Sequence, residues 1–331
     1  MTVRIGINGF GRIGRAYLRA ALRSGADVQV VAVNDLTDAA TLAALLEWDS
    51  VHGRLPGVRA DGDTLLLDRA RIRVTSEREP DRIPWGEERV DVVIESTGLF
   101  TTAAAARRHL AAGARKVLIS APADHEVPAL VLGVNDHAVD MTGDVFSNGS
   151  CTTNCLAPMA KVLHEAFGVE TGLMTTVHAY TGDQRLHDAP HGDPRRARAA
   201  ALSTIPTSSG AAATIGRIIP ELDGRLTGLS LRVPVPVGSI TDLTARLSRP
   251  ATAEEVNAAF RRAAEDPAMS AYLSYSEAPL VSADIVGDPH SAVFDAPLTQ
   301  AVGDQVKVFA WYDNEWGFAN RLVELSGRIG A

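Results

Sequence analysis

The segment Gly9-Phe10-Gly11-Arg12-Ile13-Gly14 constrains this chain more than any other. It follows an apolar run at residues 3–7 and opens a stretch whose apolar positions, Ile13, Ala16, Tyr17, Ala20 and Ala21, keep a helical period. In that setting the first glycine permits a tight turn, the second lets backbone approach a pyrophosphate, and the third lets helix pack closely on strand. The phosphates then meet the positive end of the helix. Without the flanking strand and helix the glycines alone would carry little weight.

A second strand at 30–33 ends in Asn34-Asp35, and Asp35 lies roughly 20 residues beyond Gly14, where a ribose-binding acid belongs. A carboxylate there accepts hydrogen bonds from ribose hydroxyls and repels a 2′-phosphate, so NAD is expected over NADP. The alternative is an Asp that only caps the next helix. Thr97-Gly98 and Ser120 stand at the ends of further strands, where the same cofactor would run or where they serve simply as turn residues.

Apolar runs at 3–7, 28–33, 90–95, 116–120, 130–134 and 144–146 alternate with helical stretches, the pattern of a parallel, doubly wound α/β sheet. Residues 53–89 break this rhythm with short strand-like pieces, expected to form an antiparallel insertion or edge. Beyond residue 150 the strands lengthen, at 172–179, 228–234, 240–247 and 305–312, with one irregular stretch at 181–205. That reads as an α+β domain with a mainly antiparallel sheet. Residues 315–329 form an amphipathic terminal helix that needs a surface to pack on. The expected division is 1–150, 151–315 and a terminal helix at 316–331.

At 331 residues, with 46% hydrophobic and 22% charged content, the chain suits two folded domains. A formal net charge of −8 gives no global attraction to nucleic acid or to an anionic membrane, so any anion must be held by local arginines. No apolar run is long enough to span a bilayer and the N-terminus enters a strand directly, so a cytoplasmic protein is expected. The two cysteines, Cys151 and Cys155, are too close to close a useful disulfide loop and have no partners for zinc. Free thiols and no metal are the expectation.

In Ser147-Asn148-Gly149-Ser150-Cys151-Thr152-Thr153-Asn154-Cys155-Leu156-Ala157-Pro158 a strand passes through small residues into a helix that runs to Phe167. Cys151 falls at that helix's N-terminus, where unpaired N–H groups and the macrodipole are expected to lower its pKa and raise the thiolate fraction. Cys155, one turn on, is expected to be shielded by packing. A nucleophilic thiol needs a base, and His178, closing the strand at 173–177, is the best placed of the nine histidines. Spacing alone does not bring His178 to Cys151, and a histidine at a strand end also serves as a packing residue. His52, His109, His125, His137, His164, His187, His191 and His290 fall mostly in expected loops or on solvated helix faces.

Taken with Ser120-Ala121-Pro122, His178-Ala179-Tyr180-Thr181-Gly182-Asp183-Gln184, Arg195-Arg196-Ala197-Arg198, Arg232-Val233-Pro234 and Trp311-Tyr312-Asp313-Asn314-Glu315-Trp316-Gly317, these segments resemble the phosphorying family of aldehyde enzymes known as phosphorylating glyceraldehyde-3-phosphate dehydrogenases, along essentially the whole chain. The resemblance implies a Rossmann domain, a catalytic domain and a terminal helix returning to the first, assembled as a homotetramer. It implies that Cys151 and His178 act together on glyceraldehyde 3-phosphate, with NAD and inorganic phosphate as co-substrates. It further implies that Thr181, Asp183 and Arg232 contact the substrate phosphate, and that Ser150, Thr152, Ser209 and Gly210, with Arg196 nearby, contact the attacking phosphate. For NAD it implies Arg12, Ile13, Asp35, Arg78, Ser120 and Asn314 beside Gly9, Gly11, Thr97 and Gly98.

The chain departs from the family pattern at Gly149 (usually Ala), Gly192 (Lys), Ser209 (Thr) and Ala213 (Lys). Drift or a specialised paralogue, altered in aldehyde preference or less sensitive to an alkylating inhibitor, would each account for them. Erythrose-4-phosphate dehydrogenase is the nearest enzymatic rival, and a redox-sensing binding protein without turnover the rival from another class.

Overall fold

A computed structural model of the chain describes residues 2–68 and 70–331. The chain forms two compact units, one of Met1–Leu130, Ala138–Gly149 and Ala319–Ala331, the other of Val131–His137 and Ser150–Phe318.

The first unit begins with β1 (Val3–Asn8), α1 (Arg12–Ser24), β2 (Val28–Asn34) and α2 (Ala39–Glu47). A short pair, β3 (Trp48–Asp49) and β4 (Gly53–Arg54), precedes β5 (Arg59–Asp61), β6 (Thr64–Leu67) and β7 (Ala70–Thr75). Then come β8 (Val92–Glu95), α3 (Ala103–Ala106), α4 (Arg108–Ala111), β9 (Lys116–Ile119) and β10 (Val145–Ser147). The sheet order is β10-β9-β8-β1-β2-β7-β6-β5. All pairs from β10 to β7 are parallel, and β6 and β5 add antiparallel strands at one edge. Burial on both faces explains the apolar runs Val92-Val93-Ile94 of β8 and Val117-Leu118-Ile119 of β9. The chain turns from β2 on one side of β1 to β8 on the other, and that reversal opens a crevice at the strands' C-terminal ends.

The expected strand at 130–134 does not form. Asn135 Oδ1 accepts the Val131 N–H at 2.8 Å, and the Val134 N–H donates to the Val131 carbonyl at 3.1 Å, so local bonds close a turn in place of a ladder. Ala129 alone bridges Ser147 in this region.

The second unit starts with α5 (Cys151–Phe167), β11 (Val169–Ala179), β12 (Ile205–Ser208), α6 (Ala211–Ile218), β13 (Leu226–Val233), β14 (Ser239–Leu247) and α7 (Ala253–Glu265). It continues with β15 (Leu273–Ser276), β16 (Ala292–Asp295), β17 (Gln300–Val302) and β18 (Gln305–Tyr312). The order is β12-β13-β11-β14-β18-β16-β15, with β17 on β18. Most pairs are antiparallel, while β11 with β13 and β15 with β16 run parallel. No helix or strand occupies the span between β11 and β12, in keeping with the irregular stretch expected there.

Side chains alternate across this sheet. Met174, Thr176 and His178 of β11 are buried, while Leu173, just before Met174 on the opposite face, is exposed. Helix α5 packs on β14, β18 and β11. The last helix, α8 (Trp316–Gly330), contributes its residues from Ala319 onward to the first unit, where Ser326 Oγ meets Tyr17 Oη at 2.7 Å. That buried bond, with Leu322, Val323 and Leu325 fully covered, gives the amphipathic stretch its surface.

Candidate active site

Helix α5 starts because Ser150, in extended backbone, turns its hydroxyl back to accept the Thr153 N–H at 3.1 Å. Before it, Gly149 has a φ of 63°, a left-handed conformation in which a Cβ is strained. The Gly149 N–H donates to Ser147 Oγ at 3.0 Å and the Asn148 N–H to the Ile119 carbonyl at 3.0 Å, so this turn is tied to β9 within its own unit.

Cys151 is the first residue of α5, and its Sγ lies 3.4 Å from His178 Nε2. His178 Nδ1 lies 2.7 Å from the Ala179 carbonyl oxygen. The Ala179 carbonyl, which only accepts, is nearer to Nδ1 than Arg232 Nη1, a donor 3.1 Å away, so Nδ1 carries the hydrogen and Nε2 faces the thiol with its lone pair. The imidazole is thereby set as a base. Burial, and after it the Arg232 cation, pushes the His178 pKa down to about 3.

The expected lowering of the Cys151 pKa is corrected by its surroundings. Burial pushes this thiol up, and the Arg232 cation and the hydrogen bonds of Thr152 and of Cys151's own N–H only partly offset it. Both directions favour the uncharged forms of the pair. The helix terminus acts in the same direction as those groups but is outweighed by desolvation. The 3.4 Å contact offers the thiol proton an acceptor at Nε2 inside the site. Cys155 is fully buried, its thiol pushed up to about 12 by desolvation, and it packs on Met159 and the Ala310 carbonyl.

Tyr312, at the end of β18, joins this centre from behind. Its hydroxyl lies 2.9 Å from Thr152 Oγ1 and 2.7 Å from Thr176 Oγ1, and its ring meets the His178 ring edge-on at 5.9 Å between centroids. Sequence reasoning assigned no role to Tyr312 or Thr176. The available signal was a tyrosine on the buried phase of a period-2 strand, since a buried hydroxyl requires a partner.

The parallel register of β11 and β13 pairs His178 with Arg232. Arg232 Nη1 lies 3.1 Å from His178 Nδ1 and donates to the Ala179 carbonyl at 3.3 Å and to Thr181 Oγ1 at 3.4 Å. Arg196 donates to Asp183 Oδ2 at 2.6 Å and to Thr207 Oγ1 at 2.8 Å. Arg232, Thr181 and His178 thus form one set with Cys151, while Asp183 is engaged by Arg196 and by His191. Ser209 and Gly210 stand apart from this set at the start of α6, where Ser209 Oγ accepts the Ala211 N–H at 3.3 Å. Asn314 Oδ1 accepts from the Gly238 N–H at 3.2 Å and from Ser239 Oγ at 2.9 Å, which orients the amide and leaves its NH2 to donate.

In the first unit, a Cβ on Gly14 would lie 2.4 Å from the Gly9 carbonyl oxygen, whereas a Cβ on Gly11 would meet nothing within 4 Å. The one closes helix on strand, and the other leaves backbone open to a ligand. Asp35 Oδ2 accepts the Phe10 N–H at 2.8 Å and Oδ1 the Thr37 N–H at 3.0 Å. The cap of α2 is Asp38, so Asp35 is not a helix cap. The residues that follow it, Leu36 and Thr37, line a groove with Thr75, Ser76 and Glu77. Arg12 is paired with Asp49 at 2.7 Å, Arg78 is exposed, and Ile13, Thr97 and Ser120 are half-buried around the strand ends. These residues fit a dinucleotide. His109, expected in a loop or on a solvated face, is instead fully buried.

The family model described as glyceraldehyde 3-phosphate dehydrogenase, NAD binding domain, matches residues 3–103, and that of the C-terminal domain matches residues 150–314. A glyceraldehyde-3-phosphate dehydrogenase of Mycobacterium bovis is 58% identical over 338 residues, covering 100% of this chain and 99% of the relative. The Mycobacterium avium protein of that name is 57% identical over 337 residues, with the same coverage of 100% and 99%. Glyceraldehyde-3-phosphate dehydrogenase 1 of Streptomyces avermitilis is 58% identical over 332 residues, again covering 100% and 99%.

Proposed function

This chain belongs to the glyceraldehyde-3-phosphate dehydrogenase family, and from that premise we propose that it oxidises glyceraldehyde 3-phosphate with NAD and inorganic phosphate, giving 1,3-bisphosphoglycerate and NADH. The observation that carries the reading is the 3.4 Å contact between Cys151 Sγ and the lone-pair nitrogen of His178.

As the Cys151 sulfur attacks the aldehyde carbon, its proton passes to Nε2. The resulting oxyanion is stabilised by the Cys151 N–H and the His178 imidazolium, then takes up the proton to give a hemithioacetal. Bound NAD supplies the hydride acceptor. His178 withdraws the hydroxyl proton as the carbon is oxidised to a thioester. A phosphate oxygen attacks the thioester carbonyl, and Cys151 leaves as thiolate. Arg232 and Thr181 suit the substrate phosphate, to which Asp183, its carboxylate held by Arg196, has only a backbone N–H to offer. Ser150, Thr152, Ser209 and Gly210, with Arg196, suit the attacking one. Gly9, Gly11, Arg12, Ile13, Asp35, Arg78, Thr97, Gly98, Ser120 and Asn314 would hold the cofactor.

Residues 1–150, apart from 131–137, which group with the second unit, serve as the NAD-binding domain, 151–315 as the catalytic domain, and 316–331 as the terminal helix, which belongs to the first unit from Ala319 onward. The exposed apolar residues Leu173 and Leu229 on the open face of the second sheet support assembly of copies into a homotetramer. A mechanism that needs a free thiol supports a reducing, cytoplasmic setting. Among the described residues no helix is long and apolar enough to cross a membrane.

The test is NADH formation on adding aldehyde, NAD and phosphate to the wild type and to Cys151→Ser. Normal turnover by the serine variant would sink the mechanism, and no turnover by the wild type would sink the activity.

A further inference from the structure

Under the C-terminal ends of β1, β2 and β8 runs a continuous line of buried polar side chains that the chemistry above does not use. Glu95 and His109 are 1% and 0% exposed, and Asn8 and Asn34 are 2% and 3% exposed. The Trp85 indole N–H donates to His109 Nδ1 at 3.0 Å, and His109 Nε2 lies 3.0 Å from Glu95 Oε2. Asn8 Nδ2 donates to Glu95 Oε2 at 2.6 Å, the Thr97 N–H donates to Oε1 at 2.9 Å, and the Thr97 hydroxyl bonds the same oxygen. Asn34 Nδ2 donates to Asn8 Oδ1 at 2.8 Å, while Asn34 Oδ1 accepts from Thr75 Oγ1 at 2.9 Å and from the Glu77 N–H at 2.8 Å.

This line has one possible direction. An indole only donates, so His109 Nδ1 is bare and Nε2 carries the hydrogen that goes to Glu95. Every group facing the Glu95 carboxyl is then a donor, which an ionised carboxylate, accepting only, satisfies in full. Asn8 must turn its NH2 to Glu95, which leaves its oxygen for Asn34, and Asn34 in turn presents its oxygen to Thr75 and Glu77. The orientation of each amide follows from the carboxylate.

The members of the line sit immediately before the proposed cofactor contacts. Asn8 precedes Gly9, Asn34 precedes Asp35 and Glu77 precedes Arg78, while Thr97 is itself one of the contacts. Ser96 adds a further tie, its hydroxyl donating to the Gly9 carbonyl at 2.7 Å.

We propose that Glu95 and His109 are positioning residues for NAD, acting through Asn8, Asn34 and Thr97 to hold the cofactor-contacting loops of the first unit in one arrangement. The inference rests on the cofactor site proposed above. His109→Leu leaves the Trp85 N–H without its acceptor and takes one donor from the Glu95 carboxylate, whereas His109→Gln offers one acceptor and one donor and so keeps the direction of the line. Glu95→Gln places an NH2 against groups that all donate.

The experiment titrates NAD into the full-length variants by fluorescence quenching and measures, without NAD, the rate at which iodoacetamide alkylates Cys151. His109→Leu and Glu95→Gln are expected to weaken NAD binding by about tenfold or more, with His109→Gln within about threefold of wild type and the alkylation rate unchanged in all. NAD binding by His109→Leu equal to wild type overturns the inference, as does equal weakening in the leucine and glutamine variants of residue 109. Should the leucine variant not fold, His109→Gln against Glu95→Gln decides on the same readout, and equal affinities overturn it. A wild type that binds no NAD would instead overturn the cofactor site itself.

Discussion

His178 Nε2 stands 3.4 Å from Cys151 Sγ with its lone pair toward the thiol, because Nδ1–H is committed to the Ala179 carbonyl 2.7 Å away. The base is fixed by a backbone atom next to it in sequence, so its tautomer does not depend on a distant carboxylate. Replacing it by asparagine removes the proton acceptor and leaves the buried thiol to ionise into solvent. His178→Asn is expected to lower kcat by about 10²–10⁴-fold. Alkylation of Cys151 in that variant should rise only above the ordinary thiol range, since burial pushes the thiol up. A variant whose alkylation profile overlays that of wild type would show that Nε2 does not take the proton.

The same histidine affects stability. Its folded pKa of about 3 lies below the ordinary 6.5, so between these values the unfolded chain binds a proton that the folded chain refuses. Its contribution is fully present above pH 6.5 and is lost as pH falls from 6.5 toward 3, with stability falling by at most about 1.4 kcal/mol per pH unit. Urea unfolding of wild type and His178→Asn across that range should give a shallower acid slope for the variant. Parallel slopes would refute the linkage.

Arg232 is held by Ala179 and Thr181 beside the reacting pair. Loss of a charged donor to a phosphate weakens binding, so Arg232→Ala should raise KM for glyceraldehyde 3-phosphate by about 10- to 100-fold. The unphosphorylated aldehyde, which has no anion to lose, should suffer much less. An equal loss with both aldehydes would remove Arg232 from phosphate binding.

Gly149 adopts a φ of 63° in the turn before the nucleophile, and there Ala carries a Cβ against the following carbonyl. Gly149→Ala is expected to cost about 1 kcal/mol in denaturant unfolding. No loss would mean that the turn relaxes. A Cβ on Gly192 meets nothing within 4 Å and Ala213 is exposed, and nothing in the structure explains why lysine is absent from either position.

Much of the site was legible in local pattern. The glycine turn, Asp35 after β2 and Cys151 at the start of α5 each follow from a strand and helix adjacent in sequence. The strand expected at 130–134 failed because Asn135 offered a local bond that an apolar run does not reveal. His109 was assigned to the polar background because its α4 helix is too short for a periodicity to show which face is covered. The Cys151 pKa was misjudged because a helix terminus is visible in sequence, whereas desolvation is a property of everything packed around it.

The sequence by itself determined the two kinds of sheet, the place of Cys151 on its helix and that of Asp35 after β2, since each depends on contacts a few residues apart. Tertiary structure alone decided that β11 runs parallel to β13, bringing Arg232 to His178, and that β18 delivers Tyr312 behind Cys151. It alone also decided that Glu95 and His109 meet beneath the cofactor loops. Register between distant strands is set by how a whole sheet buries its faces, and no local spacing encodes that choice.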